Sequence, residues 1–403
     1  MGGPRRVAVV GPLEEYAAGF AVELSRQGYV PRAVELQGVL VAELSVWLGR
    51  EGLDASALSL AVAERFMAAR RDAGRVRYVS TKALAALFGY LRGLGVTPPS
   101  SPAVPADAVE EVLDRFGRYL RVERGLAAGT VGGYVASVRP FVAGRLRRDG
   151  LELSSVTAAD VSAFVVSVCP TRPPGPAKVI VTAMRSLLGF LFLEGMLPVA
   201  LGASVPSVAS WRLARLPRPL TAGQVRALLD SCDRRTSVGR RDFAMLAVLS
   251  RLGLRAGEVA RLGLDDIDWR AGEVVVVGKG PKLERLPLPA DVGEAIAGYL
   301  QRGRPATAQG RSVFVRVQAP HRALTGGGVT QAVFAAGQRA GLGAVYAHRL
   351  RSSAASEMLR AGTSLPEIGL VLRHRRALTT AIYAKVDTEA LRSVAAPWPG
   401  SPR

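Results

Sequence analysis

A chain of 403 residues, 49% of them hydrophobic, is long enough for two to three domains with sizeable cores. It carries only two cysteines, Cys169 and Cys232, no leader pattern in MGGPRRVAVVGPLEE, and no run of about 18 uncharged apolar residues. A disulfide framework, export and a membrane span are therefore not indicated, and a reducing cytoplasm is the expected setting. The net charge of +20 calls for a polyanionic partner, nucleic acid first.

Along the chain, residues 1–105 and 106–200 are nearly balanced, at net +3 and +2, whereas residues 201–403 carry +15. A genome-wide arginine bias would load all three alike, so the C-terminal half is expected to meet phosphates most extensively. Two Pro-rich stretches, TPPSSPAVP (Thr97–Pro105) and the looser region Pro198–Pro219, read as extended linkers. They divide the chain into 1–105, 106–200, a linker at 201–215, and 216–403. The first two segments look like copies. LFGYLRGLGV (Leu87–Val96) matches LLGFLFLEGM (Leu187–Met196). Gly28 matches Gly125, Leu48, Gly52 and Leu53 match Leu146, Gly150 and Leu151, and Phe66 matches Phe164, at an offset of 97 to 100 residues. Apolar residues recur at helical spacing in both, which predicts two related bundles of about four helices over 13–98 and 107–199.

The third segment is α+β with helices dominant. Thr221 is a predicted N-cap before AGQVRALLDSC, and FAMLAVLSRLG is a helix ended by Gly253. Arg255 falls in the next loop, and AGEVARL resumes helix. EVVVVGKGPKLERLPLP reads as a β-hairpin with Lys279 at its tip. The whole chain is thus expected to be mainly α with a small β component. The DDID cluster (Asp265–Asp268) is read as a solvated turn, and Gly326–Gly328 lacks the Gly-Lys-Ser/Thr end of a nucleotide loop, so neither a metal nor an ATP site is assigned.

Scarce residue types mark the chemistry. Only three histidines (His321, His348, His374) and five lysines stand beside 48 arginines. His348 and Arg351 share one face of AHRLRSSAASEMLRAG. His374 lies nine residues before Tyr383 in LRHRRALTTAIYAKVD, with Thr379 or Thr380 offered as the cap of a short helix there. Two arginines, a lysine, two histidines and a tyrosine suit attack on a phosphodiester. Guanidinium forks hold the equatorial oxygens. The tyrosine forms a covalent phosphoester, a mobile lysine protonates the leaving oxygen, and histidines orient oxygens or move the tyrosyl proton.

The order and spacing of these boxes resemble the tyrosine recombinase (phage integrase) family over roughly residues 107–395. RLGLRAGEVARLGLDDID resembles its first arginine box, VVVGKGPKLERLPLP its lysine hairpin, HRLRSSAASEMLRAG its His-x-x-Arg box and LRHRRALTTAIYAKVD its last box. The resemblance implies Arg255, Lys279, His348, Arg351, His374 and Tyr383 as catalytic residues. It implies SAM-like helical core-binding domains followed by an α+β catalytic domain, with residues 1–105 a diverged copy of the core-binding domain. It implies a homotetramer on double-stranded DNA at specific sites, a 3′-phosphotyrosine, a Holliday junction, and no cofactor, metal or membrane. One departure stands out. The family commonly has Leu-Gly-His where this chain has Leu372-Arg373-His374, which removes glycine's backbone freedom and adds a charge beside the site. Two other readings stay open in the sequence: a type IB topoisomerase and a DNA-binding regulator with a weakened site. The target sequence, the direction of the reaction and any accessory proteins are not encoded legibly.

Overall fold

The computed structural model describes residues 8–97, 107–147, 150–208, 219–278, 283–373 and 380. The chain falls into two compact units, residues 99–215 and residues 1–98 together with 216–403.

The N-terminal helices are α1 (Glu14–Arg26), α2 (Pro31–Arg50), α3 (Leu60–Asp72) and α4 (Ala85–Gly93). They close around a core of their own, with Phe20, Leu44, Leu48, Phe66 and Leu87 buried. Next come α5 (Ala108–Val122), α6 (Ala128–Ala143), a minimal antiparallel pair β1 (Leu146–Arg147) and β2 (Gly150–Leu151), α7 (Ala158–Val168) and α8 (Pro174–Leu193). These bury a second core around Phe116, Val138, Leu187 and Phe190. Of all the described helices, only α8 is long and apolar enough to cross a membrane. Eight of its residues are buried in this core, so its apolar character is accounted for by packing.

Each bundle has four helices, and several glycines matched in sequence share a left-handed backbone: Gly28 and Gly125, Gly52 and Gly150, Gly95 and Gly195. The repeat is not exact. Leu48 is fully buried in α2, whereas its sequence match Leu146 is an exposed residue of β1, because a strand pair here replaces the end of a longer helix.

The C-terminal segment contains α9 (Ala222–Asp230), α10 (Ser237–Arg251), α11 (Ala256–Arg261), β3 (Ile267–Asp268), β4 (Glu273–Val277), β5 (Leu283–Pro287), α12 (Ala290–Arg302), α13 (Gly326–Arg339), α14 (Ala347–Arg360) and α15 (Leu365–Val371). Thr221 caps α9 through a reciprocal capping box with Gln224. The helix α10 buries Ala244 to Leu249 nearly all round, as a central helix must. It ends before Gly253, whose φ of +58° is the left-handed turn that the sequence anticipates. The three strands form one antiparallel sheet in the order β3-β4-β5, with Val274 opposite Leu286 and Val276 opposite Glu284. Val274 and Val276 point into the core, and their neighbours alternate outward. The fold is mainly α with a small β component.

Candidate active site

Arg255 stands one residue ahead of α11, in extended backbone, where Gly253 has turned the chain. The side chain of Glu258 reaches back to it twice. Glu258 Oε2 accepts the Arg255 backbone N–H at 2.8 Å, and Oε1 accepts Nη1 at 2.5 Å. Glu258 therefore caps its own helix and aims the guanidinium at the same time. The Arg255 side chain keeps 41% of its surface open, while that of Glu258 keeps 2%. One end of the pair is fixed inside the protein and the other faces out.

Arg351 lies in the second turn of α14 and is buried. Its Nη1 donates to the carbonyl of Gly253 at 2.6 Å, and its Nη2 donates to the carbonyl of Leu372. Two carbonyls from segments far apart in sequence thus orient one guanidinium. Leu372 also touches the turn at Gly253, where an added Cβ would come within 2.6 Å of its Cδ2.

His348 precedes Arg351 by one helical turn, at the surface. Its ring stacks on Tyr346 at 6.3 Å between centroids and 12° between planes. Partial desolvation, then the neighbouring Arg349 cation, lowers its pKa below the ordinary 6.5. A neutral imidazole is the form that can both donate and accept a hydrogen bond.

Arg373, the departure from the family pattern, adopts a left-handed backbone with φ of +55°. That conformation costs an L-residue roughly 1–2 kcal/mol. Arg373 thus takes up the conformation that a glycine adopts readily. The side chain turns inward and keeps only 3% of its surface exposed. Its Nη2 donates to Glu258 Oε2 at 2.8 Å, and its Nε lies 3.7 Å from Glu284 Oε2 on β5. Its carbonyl accepts from Arg255 Nη2 at 3.4 Å. Burial by itself raises the Glu258 pKa. The Arg255 backbone N–H, the Arg373 cation and the Arg255 guanidinium together outweigh it and hold the carboxyl below its ordinary value.

The structure thus brings Arg255 and Arg351 together around the Gly253 turn and the Leu372–Arg373 peptide. Lys279, His374 and Tyr383 lie outside the described residues. Thr380 is helical and buried, and Thr379, the other cap candidate, lies outside the described residues. Sequence reasoning missed the part played by Glu258. The available signal was a glutamate three residues after the key arginine at a helix start, which is the spacing of a capping box.

The motifs set aside in the sequence have structural roles. The DDID acids serve a turn: Asp266 accepts the Gly263 N–H, Asp268 accepts the N–H groups of Arg270 and Ala271, and Asp265 pairs with Arg311. Gly326 opens α13, capped by Thr325, and its Cα lies so close to α11 that an added Cβ would sit 3.2 Å from Gly257 Cα. A cleft of about 520 Å³ opens there, lined among others by Ala256, Gly257, Gly327, Phe334 and Tyr346. The remaining histidine, His321, has its Nδ1 3.0 Å from the Arg316 carbonyl, and its ring lies against Gly28 in the turn between α1 and α2.

The phage integrase family model matches residues 218–390. A Sinorhizobium fredii protein named as an integrase/recombinase, y4rA, is 41% identical over 397 residues, covering 97% of this chain and 95% of the relative. Tyrosine recombinase XerD of Mycobacterium tuberculosis is 32% identical over 304 residues, covering 72% of this chain and 96% of that protein. Among solved structures, XerH site-specific recombinase bound to a palindromic difH substrate superposes with a TM-score of 0.56 at 17% identity, covering 84% of this chain and 95% of that one. A lambda integrase tetramer bound to a Holliday junction gives 0.52 at 18% identity, covering 77% and 87%.

Proposed function

This chain belongs to the phage integrase family and is a tyrosine recombinase, and from that premise we propose that Arg255, Lys279, His348, Arg351, His374 and Tyr383 cleave and rejoin DNA at specific sites. The observation that carries the assignment is the convergence of Arg255 and Arg351 on the carbonyls of Leu372 and Arg373. Those carbonyls lie ten and eleven residues before Tyr383. Two guanidinium groups fixed beside the segment that leads to a tyrosine fit transition-state stabilisation of a phosphodiester attacked by that tyrosine.

In this reading Tyr383 attacks a backbone phosphate. A 3′-phosphotyrosine forms, and the bond to the 5′ oxygen breaks. Lys279 gives that oxygen its proton. Arg255 and Arg351 hold the charge on the equatorial oxygens, and His348 and His374 orient them or shuttle the tyrosyl proton. The 5′-hydroxyl then attacks the partner strand's phosphotyrosine. Bond energy is conserved in the ester, so the exchange runs without ATP. Four protomers on two sites would pass through a Holliday junction; the solved lambda integrase structure is a tetramer bound to such a junction. Residues 106–200 serve as the core-binding domain, 201–215 as linker and 216–403 as the catalytic domain, with 1–105 a further bundle. The separate cores of the helical segments support three folded segments, with Leu201 and Val205 of the linker packed into the second core. The setting is the cytoplasm, with double-stranded DNA as partner. The recombinase names among the relatives favour this over topoisomerase or regulator activity.

The target sequence need not be known to test the chemistry. A pool of nicked random duplexes is incubated with the full chain, and covalent adducts are captured after denaturation. Adduct is expected with the native chain, and Tyr383→Phe is expected to abolish it. Absence of adduct, or adduct that survives Tyr383→Phe, overturns the mechanism. Two copies of a captured sequence on one plasmid then separate recombination from relaxation.

A further inference from the structure

We propose that Arg373 is a positioning residue of this recombinase, which holds Glu258 so that Arg255 stays available to the phosphate. The inference rests on the assignment of Arg255 above.

The geometry carries it. Glu258 is a buried carboxylate with two arginine partners on different sides. Arg255 leads into α11, and Arg373 follows α15, 115 residues away from Glu258 in sequence. Arg373 is the more buried partner, at 3% side-chain exposure against 41% for Arg255. A lone carboxylate out of water grips its single counter-ion strongly. With Arg255 as that single partner, its guanidinium would be drawn inward, toward Glu258 and away from a phosphate on the open side. The Arg373 cation shares the charge of Glu258 from the inside. It also places its carbonyl 3.4 Å from Arg255 Nη2, and its Nε faces Glu284 on the hairpin strand β5 at 3.7 Å. One side chain thereby joins the first arginine box, the last box and the hairpin that leads to Lys279. The left-handed backbone at Arg373 is the conformation a glycine adopts readily, so Arg373→Gly deletes the side chain without forcing the chain onto a new path.

The test is a double-mutant cycle on the full chain, with a nicked duplex captured as described above as the probe. Adduct formation under saturating protein, duplex affinity and thermal stability are each measured. Arg373→Gly is expected to slow adduct formation about ten-fold or more while affinity stays within about three-fold, since the change acts on the transition state. Arg373→Lys is expected to restore part of the rate, because a shorter cation still reaches toward Glu258. In a Glu258→Gln background the Arg373→Gly change is expected to have little further effect, because the charge it neutralises is gone.

The proposal is overturned if Arg373→Gly leaves the rate unchanged, or if the rate losses of the two substitutions multiply independently. Equal loss of rate in the lysine and glycine variants also overturns it. If Arg373→Gly alone fails to fold, the comparison of Glu258→Gln with the double variant decides, since neither leaves an unpaired carboxylate. Failure of the underlying assignment looks different: the native chain itself would give no adduct, or Tyr383→Phe would keep it.

Discussion

At Glu258 and His348, acid pH acts against the fold for two distinct reasons. The Glu258 carboxyl is held below its ordinary 4.5, so the stability it contributes is complete above that value and is lost as pH falls through the lowered one. His348 is held below its ordinary 6.5. As pH drops through 6.5 the unfolded chain takes up the proton before the folded one does, and stability declines until the folded-state value is passed. Melting temperature is therefore expected to fall on acidification from about pH 7. His348→Gln should flatten the portion just below 6.5, and Glu258→Gln the portion below 4.5. A His348→Gln profile that overlays the native one would show that His348 titrates normally. The sequence singled out His348, Arg351 and Arg255 because scarce or boxed residues can be read locally. It flagged Arg373 only as an irregularity, because a pair 115 residues apart leaves no trace in periodicity or spacing.

Among the elements, those set by local rules were legible. The capping box at Thr221, the left-handed stop at Gly253 and the β4-β5 hairpin each arise from a few adjacent residues. Elements set by tertiary packing were not legible in the same way. Leu146 was matched to Leu48 by its surroundings, but only the folded bundle shows that one is a core helix residue and the other an exposed strand residue. Gly326 opens a triple-glycine stretch, and its constraint is the backbone of α11 lying against it. Gly326→Ala is expected to destabilise the catalytic segment by about 1–3 kcal/mol, the usual penalty for overpacking against an element that cannot give way. Gly327→Ala, whose nearest neighbour is only the Thr325 hydroxyl at 3.7 Å, is expected to change little. Denaturant unfolding of the two variants would separate these outcomes, and equal stability would remove the close-approach explanation.

Across the whole molecule, the three larger apolar cores among the described residues mean that unfolding need not be a single event. Phe116 is fully buried in the second core, its ring tilted by 46° against that of Phe190 at 5.5 Å between centroids. Phe116→Ala is expected to weaken that bundle by about 3–5 kcal/mol. In calorimetry one transition should move to lower temperature while the transition of the catalytic segment stays in place. If all transitions moved together, the cores would be thermodynamically one body. The charge distribution acts at this scale too. With +15 of the net charge in residues 201–403, DNA affinity should fall steeply with salt, by about a thousand-fold or more between roughly 50 and 200 mM if six to ten phosphates are contacted. A shallow dependence in a titration of duplex binding would mean that most of this charge faces elsewhere.

The anchoring of Arg351 has a consequence for the time at which this protein becomes dangerous to DNA. Its guanidinium is oriented by Gly253 and by Leu372, and Arg255 leans on the carbonyl of Arg373, across separations of 98, 21 and 118 residues. During synthesis the Gly253 anchor can form once Arg351 has been made, but the other two wait for residues 372 and 373 to leave the ribosome, by which point α1 to α15 have all been made. A nascent or prematurely terminated chain that stops at α15 keeps the Gly253 carbonyl but lacks those of Leu372 and Arg373 that complete the aim of its arginines. With Tyr383 as the nucleophile proposed above, cleaving power arrives only once residues 372–383 have been made.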